Sequence, residues 1–141
     1  MRSLLFALLV LTTACGGSAP PPRAKTEPAR LDDVAMSGVE EQLRELGYRL
    51  SADRGAAGVA ASRDGADWSF SLGVATEVTD RGPKLQVRMS VFREPGHTLR
   101  GELAPWAIST GDAPSISARQ SIVRDLGKRA ARQFAERFGS P

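Results

Sequence analysis

Cys15 carries the only thiol in this chain of 141 residues, and His97 the only imidazole. Nucleophilic or metal-dependent catalysis would draw first on these two side chains, and neither sits in a pattern that supports it. A Ser-His-Asp arrangement would have to use His97, which lies in the turn Glu94-Pro95-Gly96-His97, where exposure is the default; no G-x-S-x-G elbow accompanies it. Zinc needs His, Cys, Asp or Glu in clusters, and one histidine with no spare cysteine does not make one. The phosphate-cradling patterns G-x-x-x-x-G-K-[ST] and G-x-G-x-x-G are absent. Asp32-Asp33 and Glu40-Glu41 read as helix N-terminal acids complementing the macrodipole rather than as cation ligands. Any two of the 16 acidic residues could serve glycoside chemistry, so that signal has no specificity. The expectation is a protein that is not an enzyme and has no metal or cofactor.

Cys15 has a different context. Arg2 supplies one positive charge, residues 4–11 are an unbroken apolar run, and small residues Thr12, Thr13 and Ala14 lead to the cysteine. A charged start, a short apolar stretch and a small-residue cleavage site make a secretory signal. The run is too short to span a bilayer, which takes about 20 apolar residues. A buried core helix is the alternative, but Pro-rich sequence follows and leaves it nothing to pack against. The stretch Leu11-Thr12-Thr13-Ala14-Cys15 resembles the lipobox of bacterial lipoproteins, although Thr12 stands three residues before the cysteine, where that family usually has Leu. The resemblance implies removal of residues 1–14, a diacylglycerol on the Cys15 sulfur and an acylated amine, hence a palmitate-type membrane anchor. Gly16, rather than Asp, after the cysteine implies outer-membrane sorting in a cell with two membranes, and so a place in the envelope at the periplasm, with the leaflet left open. Several acyl chains, at about 0.8 kcal/mol per buried methylene, hold a protein where one chain would not.

Residues 15–30 continue as "CGGSAPPPRAKTEPAR", a tether whose three consecutive prolines favour polyproline II. Residues 31–141 are enough for one domain and not two. With 41% hydrophobic residues, a packed core is expected. A pI near 9.6 would point to nucleic acid in a cytosolic protein, but the export signal argues against that partner. The net charge of +3 is modest, so the basic character is local.

The domain opens with a helix expected over residues 33–46. Ser37-Gly38-Val39-Glu40 has capping-box form, so the ordered helix could begin there. Val39, Leu43 and Leu46 make one apolar stripe, and Gly47 offers the left-handed residue that ends a helix. Short strands are expected over residues 48–51 and near Val59. Asp64-Gly65 is a tight-turn pair. After it Trp68, Phe70, Leu72, Val74, Thr76 and Val78 alternate with smaller or polar residues, the strongest strand signal in the chain. A second strand covers residues 84–91, followed by a type II turn with Pro95 at the second position and Gly96 at the third. Leu99 and Leu103 share a face of a third strand, whereas Trp106 and Ile108 fall on the other parity. Pro105 therefore marks a bulge or an edge. A final helix is expected from a second capping box, Ser117-Ala118-Arg119-Gln120, with Ile122, Leu126, Ala130, Phe134 and Phe138 inward and Gly139 and Pro141 as its stop.

The resulting fold class is α+β: a small antiparallel sheet of three long strands and one or two short ones, covered on one face by the N-terminal and C-terminal helices. Residues 31–47 hold five acids and one Arg, a balance of −4; residues 117–138 hold six bases and two acids, a balance of +4. The helices are therefore expected side by side.

Two features could carry binding. The last helix bears Arg119, Arg124, Lys128, Arg129, Arg132 and Arg137, either a patch for phosphate headgroups or an acidic partner, or the solvated face of an amphipathic helix, with the second favoured. Trp68 reads as core, while Trp106 beside Pro105 is divided evenly between core and an exposed anchor at a sheet edge. The succession "VEEQLRELGYRL", long strands, "GHTLRGELAPWA" and "IVRDLGKRAARQF" is similar in layout to small envelope lipoprotein domains of the curli-secretion and TolB amino-terminal type. That likeness implies a scaffold for protein assembly, with no residue roles transferred. The leading expectation is a membrane-anchored envelope lipoprotein that binds a protein partner, using either the sheet edge near Pro105 and Trp106 or the basic helix with Arg119, Arg124, Lys128 and Arg132. The alternative is a small-ligand or lipid-headgroup binder. An adaptor needs an exposed patch, a ligand binder a pocket of several hundred cubic ångströms, and an enzyme titratable groups converging in a cleft.

Overall fold

A computed structural model describes residues 30–51, 58–109 and 115–139. The expected signal segment, Cys15, the expected tether up to residue 29 and Pro141 lie outside the described residues. Helix α1 (Leu31–Glu45) leads into β1 (Arg49–Leu50), β2 (Val59–Arg63), β3 (Ala66–Thr79), β4 (Gly82–Glu94), β5 (Thr98–Leu103) and β6 (Trp106–Ile108), and helix α2 (Ile116–Phe138) closes the domain. The strands form one antiparallel sheet in the order β1-β2-β3-β4-β5, with β6 pairing β4 beyond the end of β5. This is the expected α+β layout, with two long strands instead of three and more short ones.

The hairpin arithmetic is local. Asp64 and Gly65 both take positive φ, the pair a two-residue turn between Arg63 and Ala66 requires. The turn after β4 differs from expectation: the Glu94–Pro95 peptide is cis and His97, not Gly96, takes the left-handed conformation, so it is not type II. Alternation along β4 buries Leu85, Val87, Met89 and Val91 completely and sends Lys84, Gln86, Arg88 and Ser90 to the opposite face. Along β3 the apolar parity fades: Phe70 is buried, Leu72 and Val74 are half-buried, and Val78 is 89% exposed. The helix above explains this. Helix α1 begins opposite Val74, whose N–H donates to Asp32 Oδ1 at 3.0 Å, and Thr76, Glu77 and Val78 beyond it are exposed among the described residues.

Both helix starts lie elsewhere than the capping boxes implied. Helix α1 begins at Leu31, with no side-chain cap from Arg30; Ser37 sits inside it and its Oγ donates to the Asp33 carbonyl one turn back. Helix α2 is capped by Ser115, whose Oγ accepts from the Ala118 N–H, two residues before the expected cap at Ser117. Gly47 has φ +87 and ends α1 as expected.

The helices lie side by side on one face of the sheet, α1 over β1 to β3 and α2 over β4 to β6. They meet at two helix-interior glycines. A Cβ on Gly38 would collide with the Arg124 carbonyl, and one on Gly127 with the Ala35 carbonyl. Interior helical glycine costs about 1 kcal/mol against alanine, so a pair of them facing each other's backbone is there for close approach. Beneath the helices Phe134 is the hub of the core, with its ring centroid 4.8 Å from Phe70, 5.2 Å from Trp68 and 5.5 Å from Tyr48.

Candidate functional site

Helix α2 divides its polar side chains between two flanks. The flank toward α1 carries Arg124 and Lys128, and both meet Glu41: Lys128 Nζ donates to Glu41 Oε1 at 3.0 Å, and Arg124 Nε lies 3.8 Å from Oε2. The hydrogen bond from Lys128 is the main reason the Glu41 carboxyl is held below its ordinary pKa of 4.5, with the charges of Lys128 and Arg124 adding to it. These two cations are occupied by the first helix, as the opposite charge balances of the two segments require. Arg132 is exposed on the solvent side, and Arg119 is half-buried near the start of α2 with its Nε buried and unpartnered.

The other flank faces the sheet edge. Arg129, Gln133, Glu136 and Arg137 form one wall of an open groove of about 690 Å³, and residues 102–106 at the β5–β6 junction form the opposite wall. That junction is where the two edge strands trade places along β4. Met89 pairs Leu103, Gln86 pairs Trp106, and between them the Val87 N–H donates to the Pro105 carbonyl at 3.0 Å. The register runs unbroken through residues 104 and 105; the shift along this edge lies at Arg100, between the Val91–Gly101 and Phe92–Leu99 pairs, so Leu99 leaves the face it was expected to share with Leu103. Trp106 pairs Gln86, shares its outward face and stands at the groove mouth, 51% exposed, with Lys84 Nζ 4.9 Å above its ring. Trp106 is therefore an edge residue and not part of the core, while Trp68 is core.

The groove is balanced in charge: Arg129 and Arg137 are matched by Glu136 on their own wall and Glu102 on the opposite one. A surface for anionic headgroups would be uniformly basic, and this one alternates sign. Of the residues expected from sequence, Trp106 is in the groove, Arg124 and Lys128 are on the far flank, and Arg119 and Arg132 do not line it. Gln133, Glu136 and Glu102 are additions. A signal for the first two existed: 129, 133, 136 and 137 recur at i, i+4, i+7 and i+8, a polar stripe beside the apolar one.

His97 is also placed in company. Its Nδ1 lies 2.8 Å from Glu94 Oε1, which accepts a 2.7 Å hydrogen bond from Ser69 Oγ, and its ring stacks on Phe92 at 4.1 Å. Hydrogen bonds from His97 first and Ser69 second hold the Glu94 carboxyl below its ordinary pKa. Serine, acid and histidine are all present, but the order is wrong for nucleophilic catalysis. In a triad the imidazole stands between hydroxyl and acid and takes the hydroxyl proton. Here one imidazole nitrogen, Nδ1, meets both Glu94 Oε1 at 2.8 Å and Ser69 Oγ at 3.4 Å, and the serine donates to the carboxylate, so the ring does not bridge hydroxyl and acid through its two nitrogens. The cluster clamps the turn after β4 to the neighbouring strand.

Among the described residues no group of three His, Cys, Asp or Glu is placed to hold a metal ion, and no helix is long and apolar enough to cross a membrane. No family pattern, no characterised protein and no solved structure matches this chain.

Proposed function

We propose that this chain is a lipid-anchored protein of the cell envelope, tethered through Cys15, whose α+β domain holds an extended segment of a partner protein in the groove between α2 and the β5–β6 edge. One observation carries the reading: a half-exposed tryptophan, steadied by Lys84, opens onto a groove walled by Arg129 and Arg137. Exposed Trp flanked by Arg is the composition that anchors protein interfaces. The alternating charges of the groove favour a peptide over a uniformly anionic surface, and the open edge strands supply backbone groups for it to pair with. The anchor rests on the signal segment and the cysteine that follows it.

The test is site-specific crosslinking in the cell with a photoreactive residue at position 104, an exposed position in the groove wall that leaves Trp106 in place, and the same residue at position 49 on β1, at the other edge of the sheet, as reference. A single protein crosslinked from 104 and not from 49, and lost with Arg129→Glu, supports the reading. Crosslinks that are equal at both positions, or that persist in the Arg129→Glu chain, refute it. Cys15→Ala in the same experiment separates the anchor from the groove, because it abolishes membrane retention whether or not the groove binds.

A further inference from the structure

A second concavity, independent of the groove, lies where both helices end. Its volume is about 360 Å³, and Tyr48, Trp68 and Phe138 supply its aromatic surfaces. Three guanidinium groups stand around it, from Arg63, Arg93 and Arg100. Helix C-termini carry partial negative charge and attract cations, so the first question is whether these arginines are simply answering it. Arg63 is: its Nη1 donates to the Leu46 carbonyl at the end of α1 at 3.1 Å, its Nε lies 3.2 Å from Asp64, and it covers the Tyr48 ring. The other two are not. Arg93 lies 4.8 Å over the Trp68 ring, and neither it nor Arg100 has a carboxylate within ion-pair distance among the described residues. Arg63 and Asp64 cancel, which leaves two positive charges facing a concave site with no acid to balance them.

One more group is left over. Tyr48 is only 4% exposed, and its Oη is buried without a hydrogen-bond partner against Gly139, which lines the same pocket. An orphaned buried hydroxyl costs free energy that its replacement by hydrogen would recover. A donor kept at that cost, beside two unpaired guanidiniums and above aromatic walls, is the chemistry of an oxyanion carried on an apolar group.

We propose that this pocket binds a phosphomonoester, with Arg93 and Arg100 pairing the phosphate, Tyr48 Oη donating to it, and the organic part lying against Trp68 and Phe138. The charge count selects the class. A phosphomonoester carries about −1.5 to −2 at neutral pH, which matches two unpaired arginines, whereas a carboxylate neutralises one. Guanidinium groups also pair with phosphate oxygens in bidentate fashion. The ester is either a soluble molecule or the headgroup of phosphatidic acid, and these share the recognition chemistry.

The experiment is calorimetric titration of the intact protein with phenyl phosphate, with benzoate as the monoanionic reference, followed by flotation with vesicles containing phosphatidic acid or phosphatidylcholine alone. Phenyl phosphate is expected to bind at least tenfold more tightly than benzoate. Arg93→Gln combined with Arg100→Gln should weaken it at least tenfold, and Arg88→Gln, on the opposite sheet face, should leave it unchanged. Tyr48→Phe is the most telling variant: it should raise the melting temperature of the free protein and at the same time weaken phenyl phosphate severalfold. A structural role for the hydroxyl would move both in the same direction. Recruitment to phosphatidic acid vesicles, reversed by phenyl phosphate, identifies the lipid as the source; binding of phenyl phosphate without recruitment identifies a soluble ester. No binding of either, or equal affinity for benzoate, overturns the proposal.

Discussion

The position of α2, which forms one wall of the groove and one side of the pocket, depends on its contact with α1, and a single methyl group tests that contact. In an ordinary helix Gly→Ala gains about 1 kcal/mol. At Gly127 the added Cβ would meet the Ala35 carbonyl well inside van der Waals contact, so the helices would have to separate by about 1 Å to restore ordinary spacing. Overpacking of this kind costs about 1–3 kcal/mol. The collision is with backbone, which cannot rotate out of the way, so the clash outweighs the propensity. Gly127→Ala is expected to lose up to about 2 kcal/mol net, read as a melting temperature lower by about 4–8 °C per kcal/mol in a domain of this size. Gly38→Ala should behave alike, since its Cβ would strike the Arg124 carbonyl. The double variant should lose less than the sum, because helices already parted by the first methyl admit the second. Gly73→Ala is the internal reference: it lies in the middle of β3 with nothing within 4 Å of an added Cβ, and there alanine should gain about 0.5–1 kcal/mol. Thermal and urea unfolding followed by circular dichroism measure all four. If Gly127→Ala stabilises as Gly73→Ala does, the close helix crossing is refuted, and with it the placement of the groove wall.

Three further outcomes follow from the same geometry. Trp106→Ala should abolish crosslinking of the partner while lowering stability by less than about 1 kcal/mol, because a half-exposed side chain at an edge contributes little to the core; a loss of several kcal/mol would mean that Trp106 packs as core. Phe134→Ala should cost about 3–5 kcal/mol, since its ring touches Tyr48, Trp68 and Phe70 at once, and urea denaturation with an unchanged slope would verify it. Glu41 and Glu94 both have folded pKa values below the ordinary 4.5. Their contribution to stability is therefore present above that value and lost as pH falls through and below it. Glu41→Gln should flatten the acid limb of a stability–pH curve while leaving neutral pH to register only the lost pairing with Lys128 and Arg124, and an unaltered acid limb would refute the assignment.

What the sequence determines by itself is whatever one short segment can decide. Period-two alternation names β3 and β4, since neighbouring residues of a strand must face opposite ways wherever the strand sits. Asp64-Gly65 names its turn because few residue pairs accept two positive φ values. The opposite charges of the two helical segments already imply their adjacency, and Glu41 with Lys128 and Arg124 realises it. Segment reasoning fails where two parts of the chain compete for one role. Ser37 and Ser117 each have capping-box spacing, yet Leu31 and Ile116 begin the helices: upstream of Ser37, Leu31, Val34 and Ala35 pack on the core, and at α2 it is Ser115 that takes the cap. The spacing of Gly38 and Gly127 has no meaning until the two helices cross. Above all, the groove joins Trp106 to Arg129 and Arg137, and the pocket joins Tyr48, Arg63, Arg93 and Arg100, all far apart along the chain. Periodicity shows which way a side chain points from its own element and not what stands opposite. Only the packing of two helices across a bulged sheet edge decides that.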